Sequence, residues 1–204
     1  MDIILTSVAA VGFTPVMAVL AAVIMLEDAG SPFFFQPRHG VQRRLFKIAK
    51  MRTMRDARDT RVGNVLRDSG LDEVLQFVNV LRGEMSLVGP RPLTPSDVVD
   101  FGWSGPAMDW RFAARPGITG LAQVVGGRTL ARSWRLDRLY LARQSIPLDL
   151  ALVGAAFLAN LAGKRRMYAV ADAWRRRRRA TRQARIRARA RPVDLNRQND
   201  MTKV

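Results

Sequence analysis

The chain has 204 residues, enough for one domain with a real core plus appendages, and no cysteine, which excludes disulfide frameworks and thiolate chemistry. A single histidine, His39, leaves almost nothing from which to build an imidazole zinc site or a Ser-His-Asp triad. The net charge of +17 is concentrated in one place: Lys164 to Arg191 carry thirteen basic residues against one acidic residue, Asp172, while the rest of the chain carries only +5, so the charge describes a tail and not the body.

Ile3 to Leu26 is an uncharged, mostly apolar run of 24 residues. At about 1.5 Å per residue it is long enough for a hydrocarbon core of roughly 30 Å. The flank before it carries Asp2 and no Lys or Arg, so a cleaved signal peptide is not expected. Thr14-Pro15 interrupts the run. Proline removes one helical hydrogen bond there, and the Thr14 hydroxyl can satisfy a freed carbonyl. A kinked span and a re-entrant helix-break-helix both fit this pattern. Arg38, Arg43, Arg44, Lys47 and Lys50 follow the run, which puts that flank on the cytoplasmic side.

Gly30-Ser31-Pro32 closes the membrane element. Phe33-Phe34-Phe35 then reads as an interfacial aromatic anchor or a short buried strand. His39, in a Pro-Arg-His-Gly turn, is expected to play a local structural role. Arg43 to Met54 offers Leu45, Phe46, Ile48 and Met51 as core contacts. Apolar residues at 71, 74, 75, 77, 78 and 81 predict one helix from Leu71 to Leu81. Ser69 is its expected N-cap, with Asp72 three residues on as a capping-box partner, and Gly83 its end. Pro106 to Trp134 reads as a structured loop region, Arg135 to Gln144 as a helix, and Pro147 to Ala162 as an amphipathic surface helix. Arg-rich low complexity follows from Arg175 and is expected to be partly disordered.

The chemistry candidates lie between these elements. Asp72-Glu73 places two carboxylates at a helix start, where unpaired N–H groups and the dipole favour anions. On an α-helix Asp72 and Gln76 share one face, so the pair suits Mg²⁺, which takes one or two carboxylates plus phosphate oxygens. An ionised Asp can also attack phosphorus. On spacing alone a simple capping box explains Asp72 as well. Gly89-Pro90-Arg91-Pro92 fixes φ on both sides of an arginine whose fork suits phosphate. Arg115-Pro116-Gly117-Ile118-Thr119-Gly120 repeats the theme of an Arg beside a Pro, followed by glycines. Neither a Walker loop nor an opening GxGxxG is present.

Together these motifs resemble those of the bacterial sugar transferases, the monotopic phosphoglycosyl transferases. The resemblance covers about Met1 to Leu161. It rests on the N-terminal helix with Thr14-Pro15, Pro32-Phe33-Phe34, Phe46-Lys47-Ile48 with Lys50-Met51-Arg52-Thr53-Met54, Leu71-Asp72-Glu73 with Gln76, Gly83 to Pro92, Arg115 to Gly120, and Asp137 with Tyr140 and Leu148-Asp149-Leu150. It implies transfer of a phospho-sugar from a UDP-sugar to polyprenol (undecaprenyl) phosphate with release of UMP, initiating a glycoconjugate or exopolysaccharide. Mg²⁺ is the implied cofactor, at Asp72 and Glu73. Asp72 is the implied nucleophile, forming an aspartyl phospho-sugar, and Glu73 supports metal or proton handling. Lys47, Arg67, Gln76, Arg91, Arg115 and Asp137 are the implied substrate-binding residues.

The expected fold is mainly α with short β elements, an α+β arrangement. Residues 1–29 form a re-entrant membrane helix packed on a small cytoplasmic catalytic domain, 30–163, with interfacial amphipathic helices; 164–204 is the tail. The implied location is the bacterial inner membrane, facing the cytoplasm. The Arg-rich tail suits anionic lipid headgroups better than nucleic acid. A non-catalytic, membrane-anchored scaffold is the alternative. The segment between Met54 and Arg67 is shorter than the family's, Val74-Leu75-Gln76 replaces Leu-Pro-Gln, and Gly126-Gly127-Arg128 replaces Asn-Gly-Arg.

Overall fold

The computed structural model describes residues 1–27, 29–126 and 129–162. The chain divides into two units, Met1–Arg165 and Arg166–Val204. The second unit, and with it the tail expected to meet lipid, lies outside the described residues. The described residues are mainly helical, with short strands.

Helix α1, Asp2–Glu27, is apolar on nearly all sides and carries Pro15 in its interior. It is long and apolar enough to cross a membrane. The Thr14 hydroxyl donates to the Ala10 carbonyl at 2.8 Å, a bond to the preceding turn of the kind expected next to a helix proline. One side of α1 is covered: Met17, Leu20, Ala21 and Ile24 pack with Met51, Leu66, Leu71 and Leu75. Each fully buried aliphatic side chain of this kind contributes about 1.5–3 kcal/mol. Both ends of α1 are tied to the same body. The Ser86 hydroxyl lies 2.5 Å from Asp2 Oδ2, and the Arg61 N–H donates to Glu27 Oε1 at 2.9 Å.

Strands β1, Phe33–His39, and β2, Leu45–Met51, form an antiparallel hairpin. Its loop passes through Gln42 and Arg43 at positive φ. Phe33, Phe34, Phe35 and Leu45 are exposed, so the three phenylalanines are a strand but not a buried one, and Leu45 is not a core residue. His39 has the expected local role: its Nδ1–H donates to the Arg43 carbonyl at 3.0 Å, which holds the turn. A second, two-residue hairpin, β3 Met54–Arg55 with β4 Arg58–Asp59, leads into α2, Arg61–Ser69, capped by Thr60.

The single helix expected over 71–81 is instead two pieces. Ser69 ends α2, its hydroxyl donating back to the Val65 carbonyl at 2.8 Å, so it is not an N-cap. Gly70 sits at φ 75° and closes α2. A 3-10 helix then runs over Leu71–Gln76, followed by α3, Phe77–Leu81. No side chain caps the 3-10 start. Gly83, at φ 75°, follows α3 as expected.

Strand β5, Ser86–Val88, pairs in parallel with β6, Gly117–Thr119. Between them lie α4, Pro95–Asp100, and the short α5, Asp109–Phe112. The stretch read as loop from Pro106 to Trp134 thus also holds α5, β6 and two further helix segments, Leu121–Val125 and the start of Leu130–Arg143. Leu93, Val98, Trp103, Met108 and Phe112 form a local core that carries it. Helix α6, Leu121–Val125, follows β6 directly; α7, Leu130–Arg143, and α8, Ile146–Leu161, complete the described chain. Tyr140 of α7 and Leu152 of α8 close a core against Leu87 and Val88 of β5.

Candidate active site

The 3-10 geometry decides what Asp72-Glu73 can reach. With three residues per turn, side chains at i and i+3 eclipse. Glu73 and Gln76 therefore share a ridge, and both line one partly open cavity. On the α-helix expected from the sequence, Gln76 would have shared its face with Asp72 instead. Asp72 stands on the neighbouring ridge, 7% exposed. The positive end of a long helix is also missing here, because Gly70 alone separates this turn from α2.

Positive charge comes from side chains. Residues paired across an antiparallel hairpin point to one face, and successive residues alternate. Gln36 pairs with Ile48, Arg38 with Phe46 and Phe34 with Lys50, so Arg38, Ile48 and Lys50 share a face. All three line the cavity, with Arg91, Pro92, Gly117, Ile118 and Gln123. Lys50 Nζ lies 3.1 Å from Glu73 Oε1 and 3.9 Å from Asp72 Oδ2. It joins the strand to both carboxylates.

Arg38 is 8% exposed. Its Nη2 donates to Gln36 Oε1 at 2.6 Å, and its Nη1 to the Pro92 carbonyl at 3.1 Å. The same Nη1 reaches Asp97 Oδ2 at 3.5 Å. Burial, and then repulsion from Arg91, pull the Arg38 guanidinium below its ordinary value. It still carries its charge at neutral pH, since guanidinium starts above 12. Two like charges held around a cavity favour an anion between them.

The expected site residues divide accordingly. Glu73, Gln76 and Arg91 line the cavity, and Asp72 adjoins it through Lys50. Lys47 lies on the opposite face of β2, across from Pro37, and is exposed. Arg67, at the end of α2, pairs with Asp59 at 2.6 Å and bonds Thr53 at 2.9 Å. Arg115 is exposed on the approach to β6. Asp137, 2% exposed, does not face the cavity. It holds Arg111 Nε at 3.0 Å, and Arg111 Nη2 donates to the Arg91 carbonyl at 2.8 Å. Burial raises Asp137 above the usual carboxylate value, against the opposing pull of Arg111. Arg38, Lys50 and Arg111 were not among the expected site residues. For Lys50 the signal was available, since strand alternation places 46, 48 and 50 together.

The carboxylates suit a hard cation. Asp72, Glu73 and the Gln76 amide offer oxygen donors within one turn and a half. Among the described residues no group of three or more His, Cys, Asp or Glu could hold a metal ion by itself. A Mg²⁺ ion at such a site is completed by phosphate oxygens and water.

Residues 1–163 match the family model described as "Bacterial sugar transferase". Among curated proteins, the chain is 38% identical over 182 residues to the UDP-N-acetylgalactosamine-undecaprenyl-phosphate N-acetylgalactosaminephosphotransferase of Aeromonas hydrophila, covering 80% of this chain and 43% of that protein. It is 37% identical to the UDP-glucose:undecaprenyl-phosphate glucose-1-phosphate transferase of Caulobacter vibrioides, covering 74% of this chain and 60% of that one. It is 32% identical to the exopolysaccharide production protein ExoY of Rhizobium meliloti, over 74% of this chain and 80% of the relative. The chain thus spans about half the length of the first two.

Proposed function

The chain belongs to the bacterial sugar transferases, and from that premise we propose that it moves a phospho-sugar from a UDP-sugar to polyprenol phosphate, releasing UMP. The product would open the assembly of an exopolysaccharide or another glycoconjugate. One observation carries the reading: a paired carboxylate, bridged by Lys50, beside a cavity walled by Arg38 and Arg91. That arrangement is suited to a diphosphate and to a carboxylate nucleophile at its edge.

In the proposed first step an Asp72 carboxylate oxygen bonds to the sugar-bearing phosphorus. The bond from that phosphorus to the bridging oxygen breaks, and UMP leaves with the electron pair. In the second step an oxygen of the polyprenol phosphate attacks the same phosphorus. The bond to Asp72 then breaks, giving the polyprenol diphosphate sugar and the free carboxylate. Arg38, Arg91 and Lys50 are fixed positive groups placed where charge builds up, and they need no rearrangement during reaction. Glu73 would hold a Mg²⁺ ion with Asp72, and such an ion neutralises diphosphate charge when bound.

The acceptor is a lipid, so the site must sit at a bilayer surface. We infer that α1 enters the cytoplasmic face of a bacterial inner membrane and returns to it. The reading is supported by the ties of both its ends, Asp2 and Glu27, to one body. Its uncovered side, with Ile3, Ile4, Val8, Val11, Val19, Val23 and Leu26, would meet lipid. On charge alone, the Arg-rich tail would add anionic headgroups.

The test is release of UMP from a panel of UDP-sugars by detergent-solubilised protein, with and without undecaprenyl phosphate and Mg²⁺. Turnover that depends on all components is expected, and Asp72→Asn should abolish it. Full activity in Asp72→Asn would remove the nucleophile assignment. No release from any UDP-sugar would remove the transferase reading.

A further inference from the structure

Proline cannot donate a backbone hydrogen bond, so a Pro-Arg-Pro segment can be held only through its carbonyls and one amide. All three carbonyls of Pro90-Arg91-Pro92 are taken. The Gly117 N–H donates to the Pro90 carbonyl at 2.9 Å. Arg111 Nη2 donates to the Arg91 carbonyl at 2.8 Å. Arg38 Nη1 donates to the Pro92 carbonyl at 3.1 Å. Two of the three donors are buried guanidinium groups, each with its own carboxylate: Asp137 for Arg111 at 3.0 Å and Asp97 for Arg38 at 3.5 Å.

Burying an arginine–aspartate pair such as Arg111–Asp137 is not a strong route to stability, because desolvation cancels much of the attraction. What such pairs do well is fix direction, since the planar fork loses little freedom per bond made. Arg111 is 4% exposed, is not part of the cavity wall, and has its guanidinium carbon 5.3 Å from the Trp103 ring centroid. Its hydrogen bond toward the cavity wall goes to the Arg91 backbone.

We propose that Arg111, held by Asp137, is a positioning residue for Arg91, with Arg38 its counterpart on the Pro92 side: together they aim the Arg91 side chain at the phosphate of the bound nucleotide. The proposal rests on the transferase reading, because the ligand it invokes is that of the same site. A misplacement of about 1 Å at such a group costs up to about a hundredfold in rate.

The test is a double-mutant cycle on the full chain in detergent, read as UMP affinity by calorimetry and as kcat and KM for the best UDP-sugar. Arg111→Met and Asp137→Asn should each weaken UMP roughly tenfold and raise KM more than they lower kcat, because the contact that Arg91 would make is with the nucleotide both before and during reaction. Arg111→Lys should recover part of the loss. In an Arg91→Ala background, adding Arg111→Met should change UMP affinity by less than about twofold, as expected for residues acting as one unit. Should Arg111→Met fail to fold, Arg111→Lys and Asp137→Asn carry the same cycle. Full additivity, or an unchanged UMP affinity beside a lowered melting temperature, would overturn the positioning role and leave the transferase reading standing. Failure of the unmodified protein both to bind UMP and to release it from any UDP-sugar would remove that reading and this proposal with it.

Discussion

Lys50 Nζ lies 3.1 Å from Glu73 Oε1, so a strand lysine from one hairpin is ion-paired with a carboxylate of the 3-10 turn. Lys50 is also within 3.9 Å of Asp72. Both partners of the Lys50–Glu73 pair are less than a quarter exposed, so the charge is only partly screened. Replacing it by Met removes a positive charge that reaches both carboxylates beside the cavity proposed to take a diphosphate. We expect Lys50→Met to lower UMP release by about a hundredfold or more, in the range found for a lost electrostatic donor. Lys47→Met, on the far face of β2, should change it far less. Steady-state assays of the two variants side by side decide the point, and equal losses would refute the placement.

A second expectation concerns the parallel pair β5 and β6. A Cβ added at Gly117 would stand 2.0 Å from the Gly89 backbone nitrogen and 2.3 Å from the Thr119 carbonyl oxygen. Both are backbone atoms, which cannot swing aside as a side chain can. Gly117→Ala therefore has to push the strands apart, breaking the contact that carries the Gly117 bond to Pro90. Overpacking of this kind costs about 1–3 kcal/mol or more. Gly12→Ala, where nothing lies within 4 Å, is the matched control. Thermal melts should show a large drop for the first and none for the second.

Tyr140 gives the pH dependence. Its hydroxyl donates to Asp149 Oδ1 at 2.8 Å, and burial, then this carboxylate, push the phenol well above its ordinary value near 10. A phenol raised in the folded protein adds stability that is complete below about pH 10 and is lost as pH rises toward the folded value. Tyr140→Phe removes the donor and leaves Asp149 buried without it. The variant should be about 1–3 kcal/mol less stable at neutral pH. The gap should narrow from about pH 10 upward, because only the unmodified chain then gains from ionising when unfolded. Denaturant titrations at pH 7 and above pH 10 measure both parts, and a gap that widens with pH would contradict the assignment.

The legible and illegible parts of this chain differ for a physical reason. Local signals carried far: the apolar run of α1, the Thr14-Pro15 step, the positive-φ Gly83 and the presence of α8 all follow from nearest-neighbour chemistry, although α8 is not amphipathic, since it buries Asp149 and exposes Leu150, Phe157, Leu158 and Leu161. So did the presence of Glu73, Gln76 and Arg91 at one cavity, once the ordered motifs were taken together. What sequence spacing could not supply was the turn type. The same apolar positions from 71 to 81 fit one α-helix, yet Gly70 closes α2 so tightly that the chain restarts as a 3-10 turn, which swaps Asp72 for Glu73 on the cavity face. Long-range pairs were also hidden. Arg111 and Asp137 are separated by 26 residues, and nothing local in either marks it as the support of Arg91. Lys50 needs only strand alternation, which puts 46, 48 and 50 on one face of β2.

The course of α1 yields the last expectation. The chain has no cysteine, so single cysteines can be added and labelled without removing native ones. One is inserted directly after Met1, and one replaces Ser31, which lies beyond the far end of α1. A helix that crosses the bilayer once must place these two on opposite sides. A helix whose two ends are tied to Ser86 and to the Arg61 amide must place them on one side. In intact spheroplasts expressing either variant, a membrane-impermeant maleimide should label neither cysteine, and after lysis it should label both. Labelling of the cysteine after Met1 in intact spheroplasts, with Ser31→Cys protected, would mean that α1 spans the membrane and that its packing against the catalytic body does not persist in the bilayer.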